Sequence, residues 1–401
     1  MHPTSALVGT AGFEPATSAT RTLRATKLRY VPSAGRAGQG DSVQAAPRGK
    51  EPAVATMPAA MRIAQVAPPW LAVPPKGYGG IEWVVALLAD GLAEGGHDVT
   101  LFATGDSTTK AKLDYVFAQA PGPKLINEVW HDTMHTLHAF RDPGAFDVFH
   151  LHSPWSALAV ADRLGVPSVH TLHGSFTEEM RALYALMGEH VWLVAISEAQ
   201  RARMPELKYG GVVYNGVDVQ AYPFRTDKDD FVLFLGRASP DKGAHRAVRA
   251  SVEASERLVI AVKVANPEEE EHWTNEVLPI MPSDATVLGE ITLEEKVDLL
   301  SRAKAVLFPI DWDEPFGLVM TEAMACGTPV IATPRGSVPE VIADGVTGFV
   351  VSVENYPQEA AAALRKLGEI DPSACRSRVE EKFSKEAMVA GYERVFELAV
   401  S

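Results

Sequence analysis

Short apolar runs alternate along this chain with stretches whose apolar residues recur every three or four positions. The runs at 62–67, 99–103, 146–152, 167–173, 191–197, 231–235, 258–264 and 305–310 read as strands, most of them buried. Between the first two, 81–94 predicts a helix with Val84, Val85, Leu87, Leu88 and Leu92 on one face, closed by Gly95-Gly96. Strand, glycine-bearing turn, helix, strand is a β-α-β unit. The fold class is therefore α/β, with open sheets that hold ligands outside the carboxyl ends of their strands. Residues 222–230 are polar and turn-rich and read as a linker between domains at 61–224 and 225–383. A last helix, over 384–401, is expected to cross back to the first domain.

Residues 1–60 break this pattern. They are rich in Ala, Pro, Gly, Ser, Thr and Arg, without periodicity, and carry seven Lys and Arg against three Asp and Glu. They are expected to be disordered or a mis-called extension, because Met61 stands directly before the first strand; an Arg-rich transit peptide is the rival. No apolar run approaches the ~20 residues of a membrane span. At 401 residues, 46% hydrophobic and 22% charged, the chain is long enough for two cored domains. Of the net charge of −14, residues 225–401 carry most, with 19 basic and 31 acidic side chains. An acidic surface argues against nucleic acid as a partner. Cys326 and Cys375 offer no disulfide framework and suit a reducing cytoplasm; Cys326 reads as a small buried helix residue.

Candidate chemistry concentrates where strands end. After the run at 305–310, Pro315 and Gly317 punctuate a loop that leads into a helix ending before Gly327. The free N–H groups of Phe316, Gly317 and Leu318 then form an anion seat at the helix N-terminus. Glu314 and Glu322, with seven residues between them, flank that seat; carboxylates beside a phosphate repel it and suit hydroxyls. Arg237 and Lys242, five apart in the loop after 231–236, are placed to converge on one anion. Gly79-Gly80 permits close backbone approach, although no G-x-G-x-x-G dinucleotide fingerprint is present. Glu82, in the first helical turn, is read as a partner of the helix dipole in preference to an acceptor contact. His150 and His152 fall on one face of a strand, where pairing with polar neighbours is favoured over a metal site. His173 ends its strand on the ligand side. Glu268 to Glu271 read as a solvated helix start, and Thr292 with Glu295 as a capping box.

The 314–333 segment, E-P-F-G-L-V-M-T-E-A-M-A-C-G-T-P-V-I-A-T, resembles the E-x7-E signature of the retaining family 4 glycosyltransferases. T-L-H-G at 171–174, N-G-V-D at 215–218, G-R-x4-K-G at 236–243 and the glycine turn at 79–80 extend the resemblance from Met61 to the C-terminus. It implies a GT-B fold, two Rossmann-like domains with parallel sheets facing a central cleft, the acceptor on the first and the nucleotide sugar on the second. It further implies that His173, Arg237, Lys242 and Glu314 carry catalysis. Gly79, Gly80, Phe316, Gly317, Leu318, Glu322 and Gly289 would then bind the donor, with Arg237 and Lys242 on its diphosphate, Glu322 on the ribose and Gly289 near the base. The expected reaction moves a hexose from a UDP- or GDP-sugar to a hydroxyl of a glycan, glycolipid or small metabolite. It proceeds with retention, by a front-face route ranked above double displacement through Glu314. No cofactor or metal is required: Asp311-x-Asp313 is not read as a metal motif. The partners are the nucleotide-sugar donor and a sugar or lipid-linked acceptor, a peripheral membrane contact being compatible. The rival readings are a GT-B phosphorylase or synthase acting on a disaccharide and a non-catalytic sugar-nucleotide-binding protein.

Overall fold

The computed structural model describes residues 59–401 apart from Tyr78, Asn127, Ser153 and Pro154. The expectations for 1–60 thus lie, but for the last two positions, outside the described residues. Two wholly parallel sheets organise the rest. The first comprises β1 (Arg62–Val66), β2 (Asp98–Ala103), β3 (Lys112–Tyr115), β4 (Val148–Leu151), β5 (Ser168–Leu172), β6 (Val191–Ala195) and β7 (Tyr209–Val212), in the order β3-β2-β1-β4-β5-β6-β7. The second comprises β8 (Val232–Arg237), β9 (Leu258–Lys263), β10 (Thr286–Leu288), β11 (Ala305–Phe308), β12 (Val330–Ala332) and β13 (Gly348–Val350), in the order β10-β9-β8-β11-β12-β13.

The strands are apolar at nearly every position because both sheet faces are covered. Ile63, Leu101, Val148, Val169 and Val194 enter one core with Val84, Leu88 and Leu92 of the helix Gly80–Glu94. Their neighbours Ala64, Phe102, Phe149 and Leu172 enter another with Leu158 and Ala161 of the helix Trp155–Leu164. In the second sheet, Leu233 and Val306 face one core while Val232 and Leu307 face the other. β3 and β7 escape a reading by periodicity because they are half-exposed edge strands.

In each sheet the order reverses about one point, between β1 and β4 and between β8 and β11. Chains leaving adjacent strands there turn to opposite faces and open a crevice at the carboxyl ends. Two connections tie the sheets. Residues 222–230 are more than a linker: Tyr222 is buried, and Lys228 Nζ donates to the carbonyls of Ser301 and Cys326 and to Thr328 Oγ1 at 2.8–3.0 Å. Near the other crossing, Val217 N donates to Phe383 O at 2.9 Å and Lys385 N to Val217 O at 3.0 Å. The helix Lys385–Val400, capped by Ser384, then packs Tyr392 and Phe396 into the first sheet's core. Among the described residues no helix is long and apolar enough to cross a membrane.

Candidate active site

The loops at both reversal points carry the residues singled out from the sequence. Gly79 and Gly80 follow β1, His152 follows β4, His173 follows β5, Arg237 ends β8 with Lys242 just beyond, and Glu314 follows β11. Leu318 opens the helix Leu318–Ala325, preceded by Gly317 with φ +79° and by Phe316, which is buried. Among the described residues the N–H groups of Gly317 and Leu318 find no acceptor. Across the crevice a Cβ on Gly80 would lie 3.6 Å from Leu318 Cδ1, so the glycine turn abuts the helix N-terminus. A Cβ at 79 would crowd two side chains, meeting Glu82 Oε2 and Pro75 Cγ at 2.8 Å. Glycine is required at 336, where φ is +52° and a Cβ would come within 2.2 Å of the Glu314 carbonyl oxygen. That approach lets Ser337 N donate to Glu314 O at 2.9 Å and Ser337 Oγ to Phe316 O at 2.8 Å, pinning the acidic loop.

Arg237 and Lys242 leave the same strand end, a Cβ on Gly236, just before Arg237, falling 3.9 Å from Lys242 Cβ. Each, however, has its own carboxylate. Lys242 Nζ donates to Glu314 Oε2 at 2.7 Å and lies 4.2 Å above the Trp312 ring. Arg237 pairs with Glu269, whose other oxygen accepts Ala265 N at 2.7 Å. Glu269 is 2% exposed, which corrects the expectation of a solvated acidic turn at 268–271: one of the four acids is drawn inward by the arginine. Arg237 Nε is buried without a partner and remains a donor for an incoming anion. Glu322, buried within the helix Leu318–Ala325, accepts from Tyr222 Oη at 2.9 Å and Lys296 Nζ at 2.5 Å, both on Oε1. Neither partner was legible, since one lies 100 residues away and the other 26. Gly289 follows the edge strand β10, and a Cβ there would meet nothing within 4 Å.

The histidines form a buried array. His150 and His152 stand with ring centroids 4.0 Å apart. His150 Nε2 bonds Thr171 Oγ1 at 2.8 Å, and Thr171 in turn bonds Tyr392 Oη of the last helix at 2.9 Å. His152 joins Gln65 through Nε2 at 3.1 Å and His173 through Nδ1 at 2.8 Å. With Gln65 Nε2 as donor, His152 holds its proton on Nδ1 and donates it in a hydrogen bond to His173 Nε2, which leaves the proton of His173 on Nδ1. Burial pushes the His173 pKa down to about 3 and that of His152 well below the usual value, so both are neutral. Gln200, unnoticed in the sequence, fixes the same turn by donating to the carbonyls of Leu172 and Gly174 at 2.9 and 2.8 Å.

His173 and Glu82 line one cavity of about 270 Å³ at the carboxyl end of the first sheet, with Trp70, Trp155, Phe176 and Met180. The Glu82 carboxyl does meet its own N–H, as a first-turn acid should, yet burial outweighs this and raises its pKa. Its reading as a dipole partner alone is therefore incomplete, because its side chain also faces the cavity. Asp311 is bound by Arg246 and Arg335 at 3.0 and 2.8 Å, and Asp313 by Arg203. Among the described residues no three His, Cys, Asp or Glu form a group able to hold a metal. Glu340 joins the domains, accepting Glu198 N at 2.8 Å, Ala199 N at 2.6 Å and Tyr214 Oη at 2.9 Å.

Known proteins resemble this chain in sequence and fold. The family model for glycosyl transferases group 1 matches residues 220–386, and that for glycosyltransferase family 4 matches residues 78–221. A D-inositol 3-phosphate glycosyltransferase of Frankia alni is 31% identical over 276 residues, 57% of this chain and 67% of that protein. A phosphatidyl-myo-inositol mannosyltransferase of Mycolicibacterium smegmatis is 30% identical over 336 residues, 76% of this chain and 84% of the relative. The crystal structure of AviGT4, a glycosyltransferase involved in avilamycin A biosynthesis, matches with a TM-score of 0.62 at 29% identity, over 85% of this chain and 98% of that one. The two parallel-sheet domains are those of the GT-B fold. The chain belongs to the group 1, family 4 glycosyltransferases.

Proposed function

We propose that this glycosyltransferase moves a hexose from a UDP- or GDP-sugar to a hydroxyl of a sugar or lipid-linked acceptor, with retention, without a metal and by a front-face route. The observation that carries the reading is the Lys242–Glu314 pair beside the helix N-terminus at Gly317 and Leu318. A diphosphate seated there meets one ammonium, the guanidinium of Arg237 and unpaired backbone N–H groups. These donors stabilise the charge that grows on the diphosphate as the bond from the anomeric carbon breaks. The acceptor oxygen bonds to that carbon on the face the phosphate leaves, and its proton passes to the departing phosphate oxygen. Glu314 turns to the sugar hydroxyls, Glu322 takes the ribose hydroxyls and His173 Nδ1–H meets the transferred sugar. Gly79 and Gly80 close over the diphosphate, and Gly289 borders the base. Closure of the crevice keeps water from hydrolysing the donor.

A nucleophilic Glu314 fits less well, because its Oε2 already accepts from the Lys242 ammonium at 2.7 Å and an incoming anomeric carbon would have to displace that contact. The arginine pairing of Asp311 and Asp313 favours cationic side chains over a divalent ion as the charge partner. The test is a thermal-shift and calorimetric screen with UDP- and GDP-sugars, followed by NMR of the product's anomeric coupling with and without EDTA. Stabilisation by one donor class, a retained anomer and an EDTA-insensitive rate are expected. An inverted product, loss of activity in EDTA or a trapped glycosyl adduct on Glu314 would overturn it.

A further inference from the structure

The cavity at the carboxyl end of the first sheet differs in chemistry from the donor side. Its described lining residues include no lysine and no arginine. Its ionisable groups are Glu82, Tyr184 and three histidines, His152, His170 and His173; burial keeps the histidines neutral and the Tyr184 hydroxyl protonated. Glu82 is 6% exposed and pairs with no cation among the described residues. The remaining wall is largely aromatic and aliphatic, and Trp155, 36% exposed, and Ile126, 47% exposed, carry it out to the surface.

Resting on the glycosyltransferase reading above, we propose that this cavity takes an acceptor whose headgroup is uncharged and hydroxyl-bearing and which carries an apolar or aryl substituent. A phosphate ester placed here would leave water for a low-dielectric site, face a buried carboxylate and meet no counter-charge. A sugar or polyol hydroxyl instead donates to Glu82, while its C–H face lies on the aromatic wall. The volume, just below the ~300–1,000 Å³ of most small-molecule sites, suits a headgroup of monosaccharide size. The substituent leaves over Ile126 and Trp155, where apolar surface is already exposed.

Calorimetry on the full chain separates the two readings. Titration with UDP and GDP alone reports on the donor site. Octyl β-D-glucoside and myo-inositol are then titrated beside their charged counterparts, glucose 6-phosphate and D-inositol 3-phosphate. Octyl glucoside is expected to bind more tightly than either phosphate ester, and Trp155→Ala and Glu82→Gln each to weaken it about tenfold or more without changing nucleotide affinity. Glu82→Lys should reverse the preference towards glucose 6-phosphate. Phosphate esters that bind as tightly as the neutral compounds, no binding by octyl glucoside, or binding indifferent to both Trp155→Ala and Glu82→Gln would overturn the proposal. Failure of nucleotide binding would count against the donor site instead.

Discussion

Lys242 Nζ and Glu314 Oε2 lie 2.7 Å apart across the second sheet's reversal point, joining the loop after β8 to the loop after β11. The two residues are 72 positions apart, and each was assigned to a different part of the donor. Their pairing makes them one unit. Lys242→Ala is expected to lower kcat by about 10²–10³-fold, the cost of one transition-state donor. Because they act together, Lys242→Ala/Glu314→Ala should lose far less than the sum of the single losses. Steady-state kinetics of the four proteins would show it; strict additivity would break the pairing argument.

Glu322 is held by Tyr222 from the connection between the sheets, so the residue proposed to take the ribose hydroxyls is tied to that connection. Tyr222→Phe leaves a buried carboxylate short of one donor and should cost about 1–3 kcal/mol of stability. Nucleotide affinity should fall with it. Chemical denaturation and nucleotide titration of the same variant check both, and an unchanged nucleotide Kd would free the ribose site from Tyr222.

Glu340 accepts three hydrogen bonds from the first domain while sitting on the second. Glu340→Ala removes all three and leaves the N–H groups of Glu198 and Ala199 without that acceptor. A loss of about 1–3 kcal/mol and a lower Tm are expected, with Glu340→Gln intermediate since an amide oxygen still accepts. A Glu340→Ala protein as stable as the parent would make this contact dispensable.

Acid should destabilise the first domain through its histidines. Burial holds His135 and His170 at about 4, against about 6.5 in an unfolded chain. Below about 6.5 the unfolded chain binds protons that the folded chain refuses until about 4, so stability is full above that window and falls as pH drops through it. By pH 5 each should have cost on the order of 2 kcal/mol. Denaturation midpoints between pH 7 and 4.5 would show the decline, and His170→Gln should flatten it.

Much of the fold could be read along the chain. Continuous apolar runs named the buried strands because a strand covered on both faces has no polar side to show, whereas Lys112–Tyr115, at an edge, gave no such signal. The glycine turn, the helix N-terminus at Leu318 and the capping box of Thr292 and Glu295 were likewise local, since turn geometry and caps need only a few neighbouring residues. What lay beyond reach was the pairing of polar and charged side chains across elements. Arg237 with Glu269, Lys242 with Glu314, Glu322 with Tyr222 and Lys296, and Gln65 with His152 and His173 join residues from separate strands and loops. Only the stacking of parallel strands brings their ends to one edge, and only burial there decides which acid is solvated, which is paired and which, like Glu82, is left facing a cavity.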